Sequence, residues 1–242
     1  MGYPSYIWSR GKMITFMIVD AALELVPKEI TKHPAVVKSA KRRKKEPSKV
    51  LLDISLHYSA MKKLKDFKKR GRPDIIHYSL LLILDSLLNR NNMLEIYIHT
   101  VNHKLIYVNP RTRLPKNYNR FVGLMEQLLD KGCVPPGERE PLLKVLPISV
   151  REMINSGNFS NIFLLENDGI PISLDTFSEK IVNEKKPLIM IGGFQRGEAS
   201  KEIKELVNET YSIYSGTLET WTVVCRVLAS LEKTLGLYGA DK

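Results

Sequence analysis

From residue 161 onward the chain alternates short apolar runs with amphipathic stretches, at 161–166, 174–183, 187–191, 198–208, 211–214 and 218–235. A run such as Leu188-Ile189-Met190-Ile191 offers no polar face, so a strand built from it must be covered on both sides. The amphipathic stretches between the runs have the period of helices that do the covering. Strand–helix alternation of this kind predicts an α/β fold with a largely parallel sheet.

The earlier part continues the theme less regularly. Residues 13–19 and 50–54 read as strands, and 21–26 as a helix that stops near Pro27. A basic helix is predicted over 58–69, with Met61, Leu64 and Phe67 on one face and Gly71 ending it. Pro73 suits the first turn of a helix over 74–89. That helix is apolar almost all round and calls for burial in the core or against another subunit. Strands at 94–100 and 104–108 flank a tight turn at Val101, Asn102 and His103. A helix over 121–129 ends at Gly132, and Ser149 with Glu152 forms a capping-box pattern.

A net charge of +11 over 242 residues attracts polyanions, of which nucleic acid and acidic membrane are the usual ones. The apolar stretch at 75–88 is too short and too polar to span a bilayer, interrupted as it is by His77, Ser79, Asp85 and Ser86. Residues 1–10 lack the apolar run of a secretory signal, and Tyr6 stands where a myristoylation signal wants Ser or Thr. Cys133 and Cys225 lie far apart and read as two buried free thiols of a reducing compartment. These features predict a soluble cytoplasmic protein without a membrane span. Residues 28–49 crowd Lys38, Lys41, Arg42, Arg43, Lys44, Lys45 and Lys49 together, which fits both a solvated, mobile loop and an electrostatic arm for RNA.

Ligands of parallel α/β sheets bind at the carboxyl ends of strands. There stand Gly192-Gly193-Phe194-Gln195-Arg196-Gly197, Glu166-Asn167-Asp168-Gly169 and Ser215-Gly216-Thr217. The glycine spacing matches neither a dinucleotide fingerprint nor a phosphate loop. The three loops could line one pocket or be plain connections. Asp74, in the first turn of its helix, could serve as a cap or as a charged group paired with Arg72 near a substrate. The segment 109–120 spaces Arg111, Arg113, Lys116 and Arg120 around Tyr118 between stiffening prolines. Phosphate contact and base stacking need these residue types, and a basic surface loop uses them equally. His99 and His103 flank a turn, with none of the sequence context of a zinc helix, and no metal is expected.

Leu51-Leu52-Asp53, Arg72-Pro73-Asp74-Ile75-Ile76-His77, Asn109-Pro110 through Arg120-Phe121, Ile191-Gly192-Gly193-Phe194 with Gly197, and Ser212-Ile213-Tyr214 leading to Trp221 occur in this order. In that order they resemble the Nep1/Emg1 family of ribosomal-RNA pseudouridine methyltransferases of the SPOUT superfamily, most of all its archaeal members. The resemblance spans nearly the whole chain. It implies one SPOUT-type domain over 1–242 with a basic insertion around 28–49, and a deep C-terminal trefoil knot over about 160–242. It also implies S-adenosylmethionine held at Leu165, Gly192, Gly197, Ser212, Ile213, Tyr214, Ser215, Gly216, Thr217 and Leu218. The resemblance further implies RNA contacts at Arg72, Arg113, Lys116 and Arg120 and a homodimer formed through the knotted regions. The family's last loop often carries proline after its tyrosine, where Ser215-Gly216 stands here, and Lys116 stands where some members carry Arg.

The implied reaction methylates the ring N1 of a pseudouridine in small-subunit (16S) rRNA during ribosomal subunit biogenesis. Asp74 would accept or orient the N1 proton while Arg72 positions the base. The rival reading is a ribosome-assembly RNA-binding factor whose methyl transfer is secondary.

Overall fold

A computed structural model describes residues 13–239 of the chain. The reading of the N-terminus as free of a signal concerns residues outside that span. In chain order the elements are β1 (Ile14–Ala21), α1 (Pro34–Arg42), α2 (Ile54–Met61), α3 (Pro73–Asp85), α4 (Leu87–Arg90), β2 (Leu94–Thr100) and β3 (Leu105–Val108). Then come α5 (Tyr118–Lys131), β4 (Cys133–Val134), β5 (Leu143–Leu146), α6 (Val150–Ser156), β6 (Asn161–Pro171), α7 (Leu174–Asn183), β7 (Pro187–Gly192), α8 (Lys201–Lys204), β8 (Glu209–Ser212) and α9 (Thr220–Thr234).

The strands form one eight-stranded sheet in the order β4-β5-β3-β2-β1-β7-β6-β8. The run β2-β1-β7-β6-β8 is parallel, and β3, β5 and β4 extend it antiparallel at one edge. The central strand β1 is buried along its whole length, and its alternate residues enter two apolar layers. Phe16 and Ile18 pack with Ile76, Leu80, Phe121, Phe177 and Val224 beneath α3, α5, α7 and α9. Met17 and Val19 pack on the other face with Met153, Leu164, Met190 and Ile203 beneath α6 and α8. The period-2 alternation of a strand thus feeds both layers from one sequence. No helix among the described residues is long and apolar enough to cross a membrane.

Several local expectations give way to tertiary contacts. Residues 21–26 form no helix: Asp20 takes a left-handed φ of 47°, the chain bends at Ala22, and Leu25 pairs with Leu51 in an antiparallel bridge, which is all that remains of the strand expected at 50–54. The helix expected over 58–69 stops at Met61 and resumes as a single tight turn at Phe67–Lys69, since Asp66 is left-handed. Its apolar face survives, because Met61, Leu64 and Phe67 all join a third, smaller core. The apolar helix of 74–89 breaks at Ser86, and its outer face leaves Tyr78 49% and Leu82 36% exposed. Cys225 is exposed and Cys133 half-buried, so the thiols are free as expected but not buried.

The basic block is not a mobile loop. His33 caps α1 by accepting the Ala35 N–H at 3.2 Å, and Val36 and Ala40 bury against Leu52, Ala60 and Met61. Two of its cations are turned inward. Arg43 makes a double contact with Glu126 at 2.5 and 2.8 Å, and Lys45 reaches the same carboxylate at 2.6 Å. Glu126 also accepts the Leu51 N–H at 2.9 Å, and its side chain is 1% exposed. This carboxylate ties the basic segment to α5.

Removing one member of a buried charge group leaves the others unpaired, which typically costs 3–5 kcal/mol. Arg43 and Lys45 keep 26% and 38% of their side-chain surface, so water recovers part of that loss. Glu126→Ala should therefore lower unfolding stability by about 3 kcal/mol, read from denaturant unfolding. A loss below about 0.5 kcal/mol would show that the segment is held by its apolar contacts alone.

Candidate cofactor and RNA site

Strand β7 ends in the glycine pair, and the second glycine is fixed by its surroundings. The Gly193 N–H donates to Val19 O at 2.7 Å, and its carbonyl accepts the Ala22 N–H at 2.8 Å. A Cβ at Gly193 would lie 2.5 Å from Ile18 Cγ2 and 2.9 Å from Ala21 Cα, so only glycine lets β7 and the end of β1 approach this closely. Four residues on, Gly197 turns the loop back with a φ of 104°, a conformation open to glycine alone at little cost.

The loops after β6 and β7 and the chain leading into α9 enclose a cavity of about 360 Å³. Leu165, Gly192, Gly197, Thr217 and Leu218 line it. A small adjoining cavity is lined by Ser212, Ile213, Tyr214 and Gly216, and shares Leu165 and Leu218 with the first. All the expected cofactor residues except Ser215 thus face one of two contiguous hollows. The loops brace one another: Asn167 Nδ2 donates to Thr217 Oγ1 at 3.2 Å, and Thr220 Oγ1 donates to Gly192 O at 2.7 Å.

Thr220 and Val223 of α9 also line the cavity, and nothing in the sequence pattern set them apart from other helix residues. Glu166, Asp168 and Glu198 stand on its wall, and Lys204 gathers all three at 3.0, 3.5 and 2.8 Å. Hydrogen bonds to Glu198 and Glu166 push the Lys204 ammonium well above its ordinary range, so it stays charged.

The Arg-Pro-Asp turn sits beside this cleft. Arg72 Nε donates to Asp74 Oδ1 at 2.8 Å and Nη2 to Oδ2 at 2.7 Å, a fork-to-fork pair. The hydrogen bond to Asp74 is the main cause that raises Arg72 above its ordinary value. The Asp74 side chain remains 29% exposed, within reach of solvent and of a ligand. The Arg72 N–H donates to Ala22 O at 3.2 Å, and Ala22 in turn donates to Gly193 O, so two backbone hydrogen bonds join this turn to the glycine loop.

The basic segment of 109–120 is anchored along its length. Asn89 Nδ2 donates to Pro110 O at 2.9 Å, Thr112 Oγ1 to Leu142 O at 3.0 Å, and His77 Nε2 to Pro115 O at 2.7 Å. The Tyr118 hydroxyl donates to Asp53 Oδ2 at 2.6 Å, and burial together with that bond raises its pKa, keeping it a donor. His77 also stacks on Phe121 with centroids 4.4 Å apart, so it is a core residue that positions the segment. Held this way, Arg113, Lys116 and Arg120 are exposed. Arg113 and Lys116 line a groove of about 760 Å³ with Leu82, Cys225 and Tyr238, and Arg120 lies in the first turn of α5. Arg72 is paired with Asp74, whereas Arg113, Lys116 and Arg120 are exposed.

Comparison with known proteins assigns the family. The model of the EMG1/NEP1 methyltransferase family matches residues 16–232. The chain belongs to that family. The ribosomal RNA small subunit methyltransferase Nep1 of Staphylothermus marinus is 49% identical over 219 residues, covering 90% of this chain and 95% of that protein. The Nep1 protein of Thermococcus kodakarensis is 41% identical over 225 residues, covering 93% of this chain and all of its own, 100%. The crystal structure of Archaeoglobus fulgidus Nep1 bound to S-adenosylhomocysteine superposes with a TM-score of 0.82 at 35% identity, covering 94% of this chain and 100% of that one. This EMG1/NEP1 member therefore shares its fold with a relative that binds the demethylated form of the cofactor.

A side chain at Gly192 grows from a Cβ already 2.9 Å from the Phe194 ring, so a leucine there displaces that ring or fills the cavity. Gly192→Leu should weaken S-adenosylhomocysteine binding at least tenfold, about 1.4 kcal/mol, in calorimetric titration, while leaving RNA affinity intact. Equal affinity in the variant would place the ligand elsewhere.

Proposed function

We propose that this EMG1/NEP1 methyltransferase transfers a methyl group from S-adenosylmethionine to the ring N1 of a pseudouridine in small-subunit rRNA, as part of small ribosomal subunit biogenesis. One observation supports this most: the three-loop cavity and the Arg72–Asp74 pair are joined through Ala22 by hydrogen bonds of 2.8 and 3.2 Å. The cavity suits the cofactor on its own terms. Its floor is apolar at Leu165, Ile191 and Leu218, and the carboxylates of Glu166, Asp168 and Glu198 favour a cationic ligand. S-adenosylmethionine bound there supplies an electrophilic methyl group on a positively charged sulfur.

Pseudouridine exposes an N1–H that uridine lacks. Asp74 accepts or orients that proton, and the nitrogen electron pair then takes the methyl group. Arg72, always charged, holds Asp74 in one orientation and offsets negative charge developing on the base. Holding both reactants in line supplies much of the acceleration, so no covalent intermediate with the chain is needed.

Arg72, Arg113, Lys116 and Arg120 contact the RNA. The exposed cations of α1, Lys38, Lys41 and Arg42, add an electrostatic contact, since Arg43 and Lys45 are engaged by Glu126. The segment from β6 to α9 ties into a deep trefoil knot, and two copies form a homodimer. The half-exposed Tyr78 and Leu82 on an otherwise apolar helix support such an interface.

The test is transfer of labelled methyl to a short rRNA hairpin carrying either uridine or pseudouridine at the target. Transfer to the pseudouridine hairpin alone is expected. Transfer to neither, with RNA binding retained, would favour an assembly factor. Asp74→Asn should slow single-turnover transfer about 10²–10⁴-fold with RNA affinity unchanged. Unchanged transfer would leave Asp74 a structural partner of Arg72. Replacing Arg113 and Lys116 with Ala should weaken RNA binding and reduce the slope of log affinity against log salt by about 1 per cation. An unchanged slope would remove them from the RNA face.

A further inference from the structure

Across the sheet from the Arg-Pro-Asp turn, His99 near the end of β2, His103 in the β2–β3 turn and Glu202 at the start of α8 converge. One nitrogen from each ring and one carboxylate oxygen lie within 4.8 Å of one another. We propose that these three side chains form a binding site for a divalent transition-metal ion of the zinc class, one that clamps the β2–β3 turn to α8 behind the cofactor loop.

The donor set is two imidazoles and one carboxylate, which suits zinc, cobalt or nickel and is poor in oxygen for magnesium. His99 is fully enclosed, and its Nδ1 accepts the Asp20 N–H at 3.4 Å, with Asp20 Oδ1 3.6 Å away. Its Nε2 is buried with no hydrogen-bond partner. A ligand bond at Nε2 would take the place of the proton there, and Nδ1 would exchange its long contact with the Asp20 N–H for donation to the Asp20 carboxylate 3.6 Å away. That carboxylate is itself fixed, accepting from Ser200 N at 2.5 Å and Ser200 Oγ at 3.0 Å. A carboxylate behind a metal-bound imidazole is the usual way such a ring is oriented.

The other two ligands are free to adjust. His103 is exposed and already meets Glu202, with Nδ1 2.8 Å from Oε2. Zinc bonds of about 2.0–2.1 Å in a tetrahedron require donors about 3.4 Å apart, which small rotations of these two surface side chains provide. The third ligand is distant in sequence, so the spacing of His99 and His103 alone could not reveal the set. The chain just before Glu202 includes Gly197, Glu198 and Ala199 of the cofactor cavity wall, so an ion here braces that wall from behind.

The experiment titrates the full-length, untagged chain with Co²⁺, follows its visible d–d absorption, and then displaces it with Zn²⁺. One Co²⁺ per chain, displaced by Zn²⁺, is expected. His103→Ala and Glu202→Gln should each weaken binding tenfold or more, and both sit at the surface where folding tolerates change. No stoichiometric absorption, or one that both variants retain unchanged, overturns the site and leaves His103 and Glu202 as a plain surface ion pair.

Discussion

The structure hangs on a short run of backbone hydrogen bonds: Gly193 N–H to Val19 O, Ala22 N–H to Gly193 O, and Arg72 N–H to Ala22 O. Each is an ordinary bond of modest net value. Together they fix three things at once. They set the glycine loop against the end of the central strand, turn the chain after β1 away from helix, and set the Arg-Pro-Asp turn beside the cavity. The missing Cβ at Gly193 makes the arrangement possible, because Ala21 Cα and Ile18 stand where that atom would be. The glycine loop and the Arg72–Asp74 pair are therefore joined through shared backbone hydrogen bonds, as the proposed reaction between two bound molecules requires.

Much of the fold was legible because its central strands β1 and β7 are buried on both faces. The helix at Leu174–Asn183 falls where the periodicity puts it, and β7 extends one residue beyond its predicted run. Two of the failures share one cause: backbone groups claimed by distant partners. Ala21-Ala22-Leu23-Glu24 is composed like a helix, yet Gly193 O takes the Ala22 N–H, and the carbonyls of Ala21, Ala22 and Glu24 accept from the N–H groups of Val101, Arg72 and Leu52. The helix expected over 198–208 shrinks to Lys201–Lys204 because the amides of Ala199 and Ser200 are held by the Glu166 and Asp20 carboxylates. Strands β4 and β5 are short and pair with each other and with β3 across a proline-rich loop, so no local period announces them.

The site was legible to the same degree. The three loops could be marked from strand ends alone, and nine of the ten residues that the family resemblance implied there line the two cavities. Thr220 and Val223 escaped notice because a helix start looks alike whether or not it lines a cavity. The basic block misled in the other direction. Its charge hid the apolar spacing of Val36 and Ala40, and nothing local showed that Glu126, far along the chain, would draw Arg43 and Lys45 inward. Charge density in a sequence measures attraction to polyanions only after internal partners have taken their share.

The central claim is that cofactor cavity and Arg72–Asp74 pair serve one reaction. A crystal structure of this chain with S-adenosylhomocysteine tests it most directly. The account predicts the ligand between the loops at Leu165, Gly192–Gly197 and Ser212–Leu218, with its sulfur turned toward Asp74. A sulfur facing away from Asp74, or a ligand outside these loops, would contradict it.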